Sequence, residues 1–132
     1  MLNLLFSGDT LFTCGCGRLF EGTAEELYKS LQKLITLPEQ TLIYPGHEYT
    51  VDNIKFALTV DPDNQALHDR LHVAQKLRSE QKATVPASLA TEAATNPFLR
   101  TMHKPIRKAV NCTTEAYIEQ VFAKLRKLKD KF

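Results

Sequence analysis

Apolar residues near the start of the chain occur in short runs that end in turn residues. Residues 2–6 form one such run, broken only by Asn3 and followed by Ser7-Gly8-Asp9. This pattern predicts a buried strand that ends in a tight loop. A second short run, residues 41–44, predicts another strand. Between the two strands, residues 13–22 contain three glycines in ten positions, which predicts an irregular loop.

Most other elements show the 3.6-residue period of amphipathic helices. The first helix opens at Thr23, which forms a capping box with Glu26, and Pro38 ends it. Further helices are predicted over residues 50–60, over residues 64–81, within residues 84–100 and from a cap at Thr113 onward. The chain therefore reads as strand, loop, helix, strand and loop, followed by a bundle of helices.

Two polar side chains directly follow the predicted strands, Asp9 after the first and His47 after the second. If the strands are parallel neighbours joined by the helix over residues 24–36, both side chains lie at the sheet edge where α/β folds bind ligands. A carboxylate and an imidazole can ligate zinc, iron or manganese. The alternative interpretation is structural: Asp9 stabilises a turn, and His47 forms a hydrogen bond within its loop.

Length, composition and charge argue against two classes of function, membrane proteins and general nucleic-acid-binding proteins. The 132 residues make one domain, or one small domain with part of another, and 43% apolar and 24% charged residues are typical of a soluble globular chain. No apolar run is long enough to span a bilayer, so we expect no membrane association. The net charge of +2 argues against general nucleic-acid binding, although residues 1–60 carry −3 and residues 61–132 carry +5.

The cysteines indicate a cellular location for the protein but no redox or zinc-binding role. Three cysteines cannot all pair within the chain, and no secretory signal is evident, so we expect a cytoplasmic protein with reduced thiols. The spacing of Cys14 and Cys16 fits neither a redox motif nor a strong zinc pair. His68 and His72, four residues apart on a helix, could bind a metal, but the neighbouring Asp69-Arg70 indicates a solvated surface.

Several longer segments together resemble a known family. They are GDTLF (8–12), GCGRLFEGTA (15–24), GHEYT (46–50), NIKFA (53–57), TVP (84–86), NPFLR (96–100) and RKLKDKF (126–132). Together they resemble the second half of glyoxalase II (hydroxyacylglutathione hydrolase) of the metallo-β-lactamase superfamily. The resemblance covers nearly the whole chain.

The resemblance implies an α/β fold in two parts. Residues 1–48 would be the C-terminal part of a metallo-β-lactamase αββα fold with few strands. Residues 49–132 would be an all-helical, glutathione-binding domain. The implied activity is thioester hydrolysis, in which a metal-bound hydroxide converts S-lactoylglutathione to lactate and glutathione.

The resemblance also implies the residues of the metal centre. Asp9 would bridge two divalent ions, and His47 would be a terminal ligand of one of them, so both would be catalytic. The ions would be zinc, or else iron or manganese. His47 would also lie against the substrate.

The substrate contacts implied by the resemblance lie in two parts of the chain. Arg18 would meet a carboxylate of glutathione, and Tyr49 would donate a hydrogen bond to its peptide. Phe20 stands where some family members have a tyrosine, so it could only pack. Arg126 and Lys129, three residues apart on the last helix, would reach the charged end of the tripeptide. The alternative for these two is a solvated basic helix end.

The sequence departs from the family in its metal ligands. The family's His-x-His-x-Asp-His motif is missing, and the chain has four histidines in all. One aspartate and one histidine are too few for a metal pair, because a catalytic zinc takes three protein ligands. We therefore expect a C-terminal half that, alone, binds no metal pair tightly and is inactive. It could be a shortened gene product, an expressed piece or one part of a split protein.

Two function classes follow from that expectation. In the first, the chain is part of a thioester hydrolase that becomes complete with a missing N-terminal half in trans. In the second, it is a non-catalytic helical module for binding or association. An exposed apolar edge at residues 2–6 would favour pairing with another copy or another protein.

Overall fold

A computed structural model describes residues 3–19, 22–113 and 116–132. Its strands are β1 (Leu4–Gly8), β2 (Leu11–Phe12), β3 (Gly15–Cys16), β4 (Leu42–Pro45) and β5 (Ala87–Ser88). Its α-helices are α1 (Ala24–Leu34), α2 (Thr50–Val60), α3 (Gln65–Ser79), α4 (Leu89–Thr95), α5 (Lys104–Ala109) and α6 (Ile118–Asp130), with a 3₁₀ turn at Pro97–Leu99. Within these ranges, each helix is too short or too polar to cross a membrane.

The larger sheet has the order β1-β4-β5. Strands β1 and β4 are parallel, with Leu5 opposite Ile43, and β5 is antiparallel to β4. The predicted parallel neighbours are therefore confirmed, with α1 as the connection between them. Strand β5 is only two residues long, so its sequence is too short to show the alternation of apolar and polar residues that predicts a strand.

The prediction that the first strand is buried is wrong. In β1 the side chains of Leu4 and Phe6 are 48% and 76% exposed, and the Phe6 ring stacks on Tyr44 with centroids 5.5 Å apart. Leu5, between them, packs against the core. Strand β1 therefore has one buried and one exposed face, an alternation that its apolar sequence hides. It is also an edge strand, because it pairs only with β4 among the described residues.

The glycine-rich segment is more ordered than predicted. Strands β2 and β3 form an antiparallel hairpin in which Phe12 pairs with Gly15, and Cys14 in its turn has a φ of 62°. The Asn96 side-chain amide donates to the carbonyl oxygens of Phe12 (3.3 Å) and Gly15 (3.0 Å). A distant asparagine therefore stabilises the hairpin, which local sequence reasoning misses.

Helix starts with a side-chain cap lie where the sequence predicts them. The Glu26 N–H donates to the Thr23 hydroxyl (3.2 Å) at the start of α1, and the Ala66 N–H donates to the Asn64 side chain (3.1 Å) at the start of α3. The predicted short helix within residues 84–100 is α4, capped by Ser88.

The predicted start of the last helix at Thr113 is wrong. Helix α6 begins at Ile118 after Tyr117, which makes no side-chain cap. The preceding segment is held differently: Arg107 in α5 donates from Nη1 to the carbonyl oxygens of Thr113 (2.8 Å) and Ala116 (3.0 Å). Both carbonyl oxygens precede the first residue of α6.

One hydrophobic core links the sheet to the helices. It joins Leu31 of α1 and Ile43 of β4 to aromatic residues of the helical region. The Phe98 ring lies 6.2 Å from that of Phe56 and 5.7 Å from that of Phe122. This core extends across the predicted boundary between residues 48 and 49, and the division into two domains stays a prediction.

Candidate active site

An open cavity of about 850 Å³ lies beyond the carboxyl ends of β1 and β4. The hairpin β2–β3, the start of α2 and one face of α6 surround it. Its lining residues are Asp9, Thr10, Phe12, Cys16, Gly17, Arg18, His47, Tyr49, Asp52, Asn53, Arg126 and Lys129. All the predicted site residues line it except Phe20, which lies outside the described residues.

Asp9 and His47 are adjacent at the sheet edge. The Gly46 N–H donates to the Gly8 carbonyl oxygen (2.8 Å), which joins the ends of the two parallel strands. The Asp9 Oδ1 and His47 Nε2 atoms lie 3.3 Å apart, and the side chains are 74% and 49% exposed. The predicted convergence is therefore observed, and both groups face open space that a ligand can enter.

The Asp9–His47 pair fits two ligands of one metal ion. A carboxylate oxygen and an imidazole nitrogen at ordinary zinc distances in tetrahedral geometry lie about 3.4 Å apart. Within the described ranges, however, no group of three or more candidate ligands occurs. The pair thus supplies fewer ligands than a catalytic zinc takes, and the metal-binding role of Asp9 and His47 stays a prediction.

An aromatic wall adjoins this pair. The His47 and Tyr49 rings are stacked, with centroids 5.0 Å apart and an interplanar angle of 8°. Phe12 lies against both rings, at 6.0 Å from His47 and 5.1 Å from Tyr49. These contacts fix the orientation of the imidazole and give the cavity an apolar side.

Arg126 is buried and forms hydrogen bonds with the loop that leads to Arg18. Its guanidinium is 3% exposed and donates from Nη1 to the carbonyl oxygens of Cys16 (2.8 Å) and Gly17 (3.3 Å). It also donates from Nε to Asp130 Oδ1 (3.1 Å), and its Nη2 lies 2.9 Å from the same oxygen in an ion pair. Most of its donor groups therefore already have partners in the chain. The alternative of a solvated basic helix end is therefore wrong for Arg126, and its direct contact with a ligand stays a prediction.

Lys129 is half-buried on the same face of α6. Its Nζ lies 5.5 Å from the centroid of the Phe56 ring and 5.2 Å from that of Phe132. Burial, and then the positive charge of Arg126, lower the pKa of the Lys129 ammonium. Arg18, in contrast, is exposed at the mouth of the cavity.

Asp52 and Asn53 are lining residues that the sequence reasoning did not select. Asn53 is buried and donates from Nδ2 to the Thr13 carbonyl oxygen (3.1 Å), which attaches the hairpin to α2. Asp52 is exposed in the first turn of α2. Their position within one helical turn of Tyr49 is the signal that could have found them.

Among the described residues, Cys14, Cys16, His68 and His72 form no catalytic arrangement. Burial raises the pKa of both Cys14 and Cys16 to about 12, so neither supplies a thiolate near neutral pH. His68 and His72 are exposed, as predicted. Arg70 between them differs from the prediction of a solvated residue, because its guanidinium forms a largely buried ion pair with Glu92.

Gly17 allows a close approach of two loop segments beneath this cavity. A Cβ atom at residue 17 would lie almost on the Asp9 carbonyl oxygen. We expect Gly17→Ala to reduce the free energy of unfolding by about 1–3 kcal/mol and to move Asp9 away from His47. Urea unfolding and the chemical shifts of His47 would measure both effects.

Gly8→Ala is the matched control for this change. The Cβ at residue 8 would meet no atom within 4 Å, so only the positive φ of 52° opposes it and we expect a smaller loss. Equal stability of Gly17→Ala and the unchanged chain would contradict the prediction.

Comparison with known proteins identifies the family. A family model described as "Hydroxyacylglutathione hydrolase C-terminus" matches residues 48–132. The chain is 53% identical over 131 residues to a hydroxyacylglutathione hydrolase of Xanthomonas axonopodis pv. citri, covering 97% of the chain and 51% of that relative. It is 50% identical over 129 residues to one of Brucella ovis, covering 98% of the chain and 50% of that relative. The chain thus spans about half the length of these curated relatives, and it belongs to the hydroxyacylglutathione hydrolase family.

Proposed function

We propose that this chain forms part of the active site of a thioester hydrolase that acts on S-lactoylglutathione and releases lactate and glutathione. The observation that carries the proposal is a single cavity in which the Asp9–His47 pair lies beside a wall with cationic side chains. A glutathione thioester needs both features. Its reactive carbonyl needs a hydrolytic centre, and its two carboxylates need cations.

The substrate-binding part of the proposal assigns a role to each wall. Arg18 and Lys129 carry the charges available for the glutathione carboxylates, and the Tyr49 phenol can donate to the peptide. The aromatic side chains of Phe12 and Tyr49 pack against the apolar parts of the thioester. Arg126 keeps the loop of Arg18 in place.

The proposed metal centre needs more ligands than the described residues provide. In the complete enzyme, two divalent ions (zinc, iron or manganese) would be held by Asp9, His47 and ligands from elsewhere. When bound, such ions lower the pKa of a water molecule and polarise a carbonyl group. We propose that these further ligands come from a missing N-terminal half, and that β1, β4 and α1 belong to a metallo-β-lactamase αββα fold ending near residue 48.

A second candidate function is a non-catalytic helical module for binding or association. The exposed Leu4 and Phe6 of the edge strand β1 favour it, because an unpaired apolar strand can pair with a partner or a second copy. For either function we propose a cytoplasmic location, which the three unpaired thiols support.

Reconstitution tests the enzyme proposal. We expect the purified chain with added zinc or iron to show no enzyme-like hydrolysis of S-lactoylglutathione, because two ligands cannot hold a metal pair. Co-expression with the first half of the Xanthomonas axonopodis relative should restore thioester hydrolysis, and His47→Ala should remove the restored activity.

The outcomes separate the two candidate functions. Enzyme-like turnover by the chain alone would contradict the incomplete metal site. A stable complex with the added half that contains metal but shows no hydrolysis would contradict the enzyme proposal and favour the module.

A further inference from the structure

Glu48 lies between two aromatic-ring residues of the cavity wall, His47 and Tyr49, but its own side chain does not line the cavity. The Glu48 carboxylate bonds instead to Thr84, in the segment between α3 and β5. Thr84 is 36 residues further along the chain, so no local sequence pattern indicates this contact. The contact joins the segment that carries both rings to a distant part of the fold.

The contact between Glu48 and Thr84 uses both carboxylate oxygens. The Thr84 N–H donates to Oε1 (2.8 Å), and the Thr84 hydroxyl donates to Oε2 (2.6 Å). The hydroxyl oxygens of Thr84 and of Thr50, the first residue of α2, lie 2.5 Å apart. Hydrogen bonds to an ionised acceptor are stronger than neutral ones, and two of them fix the direction of the side chain. We call this pair of bonds the Glu48–Thr84 clamp.

The segment on the Thr84 side of the clamp is itself fixed. Arg78 of α3 donates from Nη1 to the Lys82 carbonyl oxygen (3.1 Å), and the same nitrogen lies 4.0 Å from Glu48 Oε1. The Lys82 N–H donates to the Leu77 carbonyl oxygen (2.8 Å). Strand β5, the next element after Thr84, pairs with β4. The clamp therefore attaches the cavity wall to both α3 and the sheet.

The segment on the Glu48 side has a fixed point before it and an uncapped helix after it. The Gly46 N–H donates to the Gly8 carbonyl oxygen, which fixes the end of β4. Helix α2 then begins after Tyr49, which forms no side-chain cap among the described residues. Because a cap would otherwise set the direction of the chain at the helix start, the clamp supplies the side-chain restraint at this point.

We propose that Glu48 is a positioning residue whose clamp to Thr84 holds His47 and Tyr49 stacked and directed towards Asp9. Glu48 acts through the segment that it holds, since its side chain does not line the cavity. In a hydrolytic centre, a displacement of about 1 Å can lower the rate about a hundredfold. The inference rests on the proposed function for this consequence alone, because the stack is a property of the chain.

Phe12 offers a competing explanation, because its ring contacts both His47 and Tyr49. If Phe12 alone held the stack, loss of the clamp would lower stability and leave the two rings in contact. A merely structural clamp therefore changes unfolding, whereas a positioning clamp changes the ring contact in the folded protein.

The experiment compares the unchanged chain with Glu48→Ala by two-dimensional NMR. Nuclear Overhauser cross-peaks between ring protons of His47 and Tyr49 report the stack, whose centroids lie 5.0 Å apart. We expect Glu48→Ala to lose these cross-peaks while its circular dichroism stays that of the folded chain. Glu48→Gln, whose amide can form both bonds to Thr84, should retain them. Glu39→Ala is the matched control, since it removes the same charge from an exposed residue outside the cavity, and it should also retain them.

Cross-peaks that persist in folded Glu48→Ala would overturn the inference. If that variant does not fold, Thr84→Val decides, because it removes the hydroxyl from the other side of the clamp. Weakened cross-peaks in Thr84→Val would support the inference, and unchanged cross-peaks would overturn it.

Activity of the complex with the first half of the Xanthomonas axonopodis relative gives a second measurement. Glu48→Ala should lower kcat for S-lactoylglutathione about ten- to hundredfold, and Glu48→Gln should recover most of that loss. An unchanged kcat of Glu48→Ala in an active complex would overturn the inference. An inactive complex of the unchanged chain would contradict the proposed function instead, while the cross-peaks would still decide the role of Glu48.

Discussion

Glu92→Leu is expected to lower the free energy of unfolding by about 3–5 kcal/mol, the largest effect of any single change proposed for this chain. The Glu92 side chain is fully buried. It accepts hydrogen bonds from the Arg70 guanidinium, the Cys14 N–H (2.9 Å) and the Asn96 amide (3.1 Å). Its loss leaves a largely buried guanidinium and two polar N–H groups without this acceptor. Urea unfolding followed by circular dichroism would measure the change.

Two controls define this effect. Glu80→Gln disrupts an exposed ion pair with Lys82, and we expect it to change stability by less than about 0.5 kcal/mol. The double variant Glu92→Leu with Arg70→Leu should recover part of the loss, because the unpaired charge is then gone. If the double variant lost as much as the two single variants added together, the buried ion pair would not be the cause.

Arg126→Met is expected to lower the free energy of unfolding by about 2–4 kcal/mol and to weaken S-methylglutathione binding at least tenfold. The guanidinium satisfies carbonyl oxygens of two loop residues, Cys16 and Gly17, and Met leaves them without this donor. The loop that presents Arg18 would then lose its attachment to α6. Unfolding curves and calorimetric titration of the same variant would measure both quantities.

Arg126→Lys distinguishes a loop-holding role from direct ligand contact. An ammonium group cannot reproduce the planar set of donors that reaches both carbonyls, so we expect most of the stability loss to persist. Lys127→Met, on the exposed side of α6, is the control and should change little. Full stability of Arg126→Lys combined with lost binding would show that Arg126 contacts the ligand directly.

Predictions that depended on neighbouring residues agree well with the structure. Thr23 caps α1 as predicted, because a cap is a contact between a side chain and an N–H two or three residues away. Asn64, where the predicted helix over residues 64–81 begins, caps α3 in the same way. The parallel pairing of β1 and β4 follows from the helix that connects them. That pairing also brings Asp9 and His47 together, because parallel strands end at the same edge.

Predictions that depended on distant partners failed or were missing. Thr113 has a good capping side chain, but α6 begins at Ile118, and the distant Arg107 bonds the Thr113 carbonyl oxygen. The hairpin β2–β3 relies on Asn96, more than 80 residues away. The exposure of Leu4 and Phe6 depends on which face of the sheet is covered, and five consecutive strand residues do not encode that.

The amino-acid sequence by itself determined the longer elements up to α4, the helix cap at Thr23 and the family. It also indicated six residues that line the cavity: Asp9, Arg18, His47, Tyr49, Arg126 and Lys129. Only the tertiary structure decided which of those residues are buried and which of them form hydrogen bonds with each other. Arg126 bonds a carbonyl oxygen 110 residues earlier in the chain, and Asp52 remains without a partner among the described residues. The physical reason is that burial and hydrogen bonding depend on what packs nearby in space, whereas sequence patterns report only contacts within a few residues.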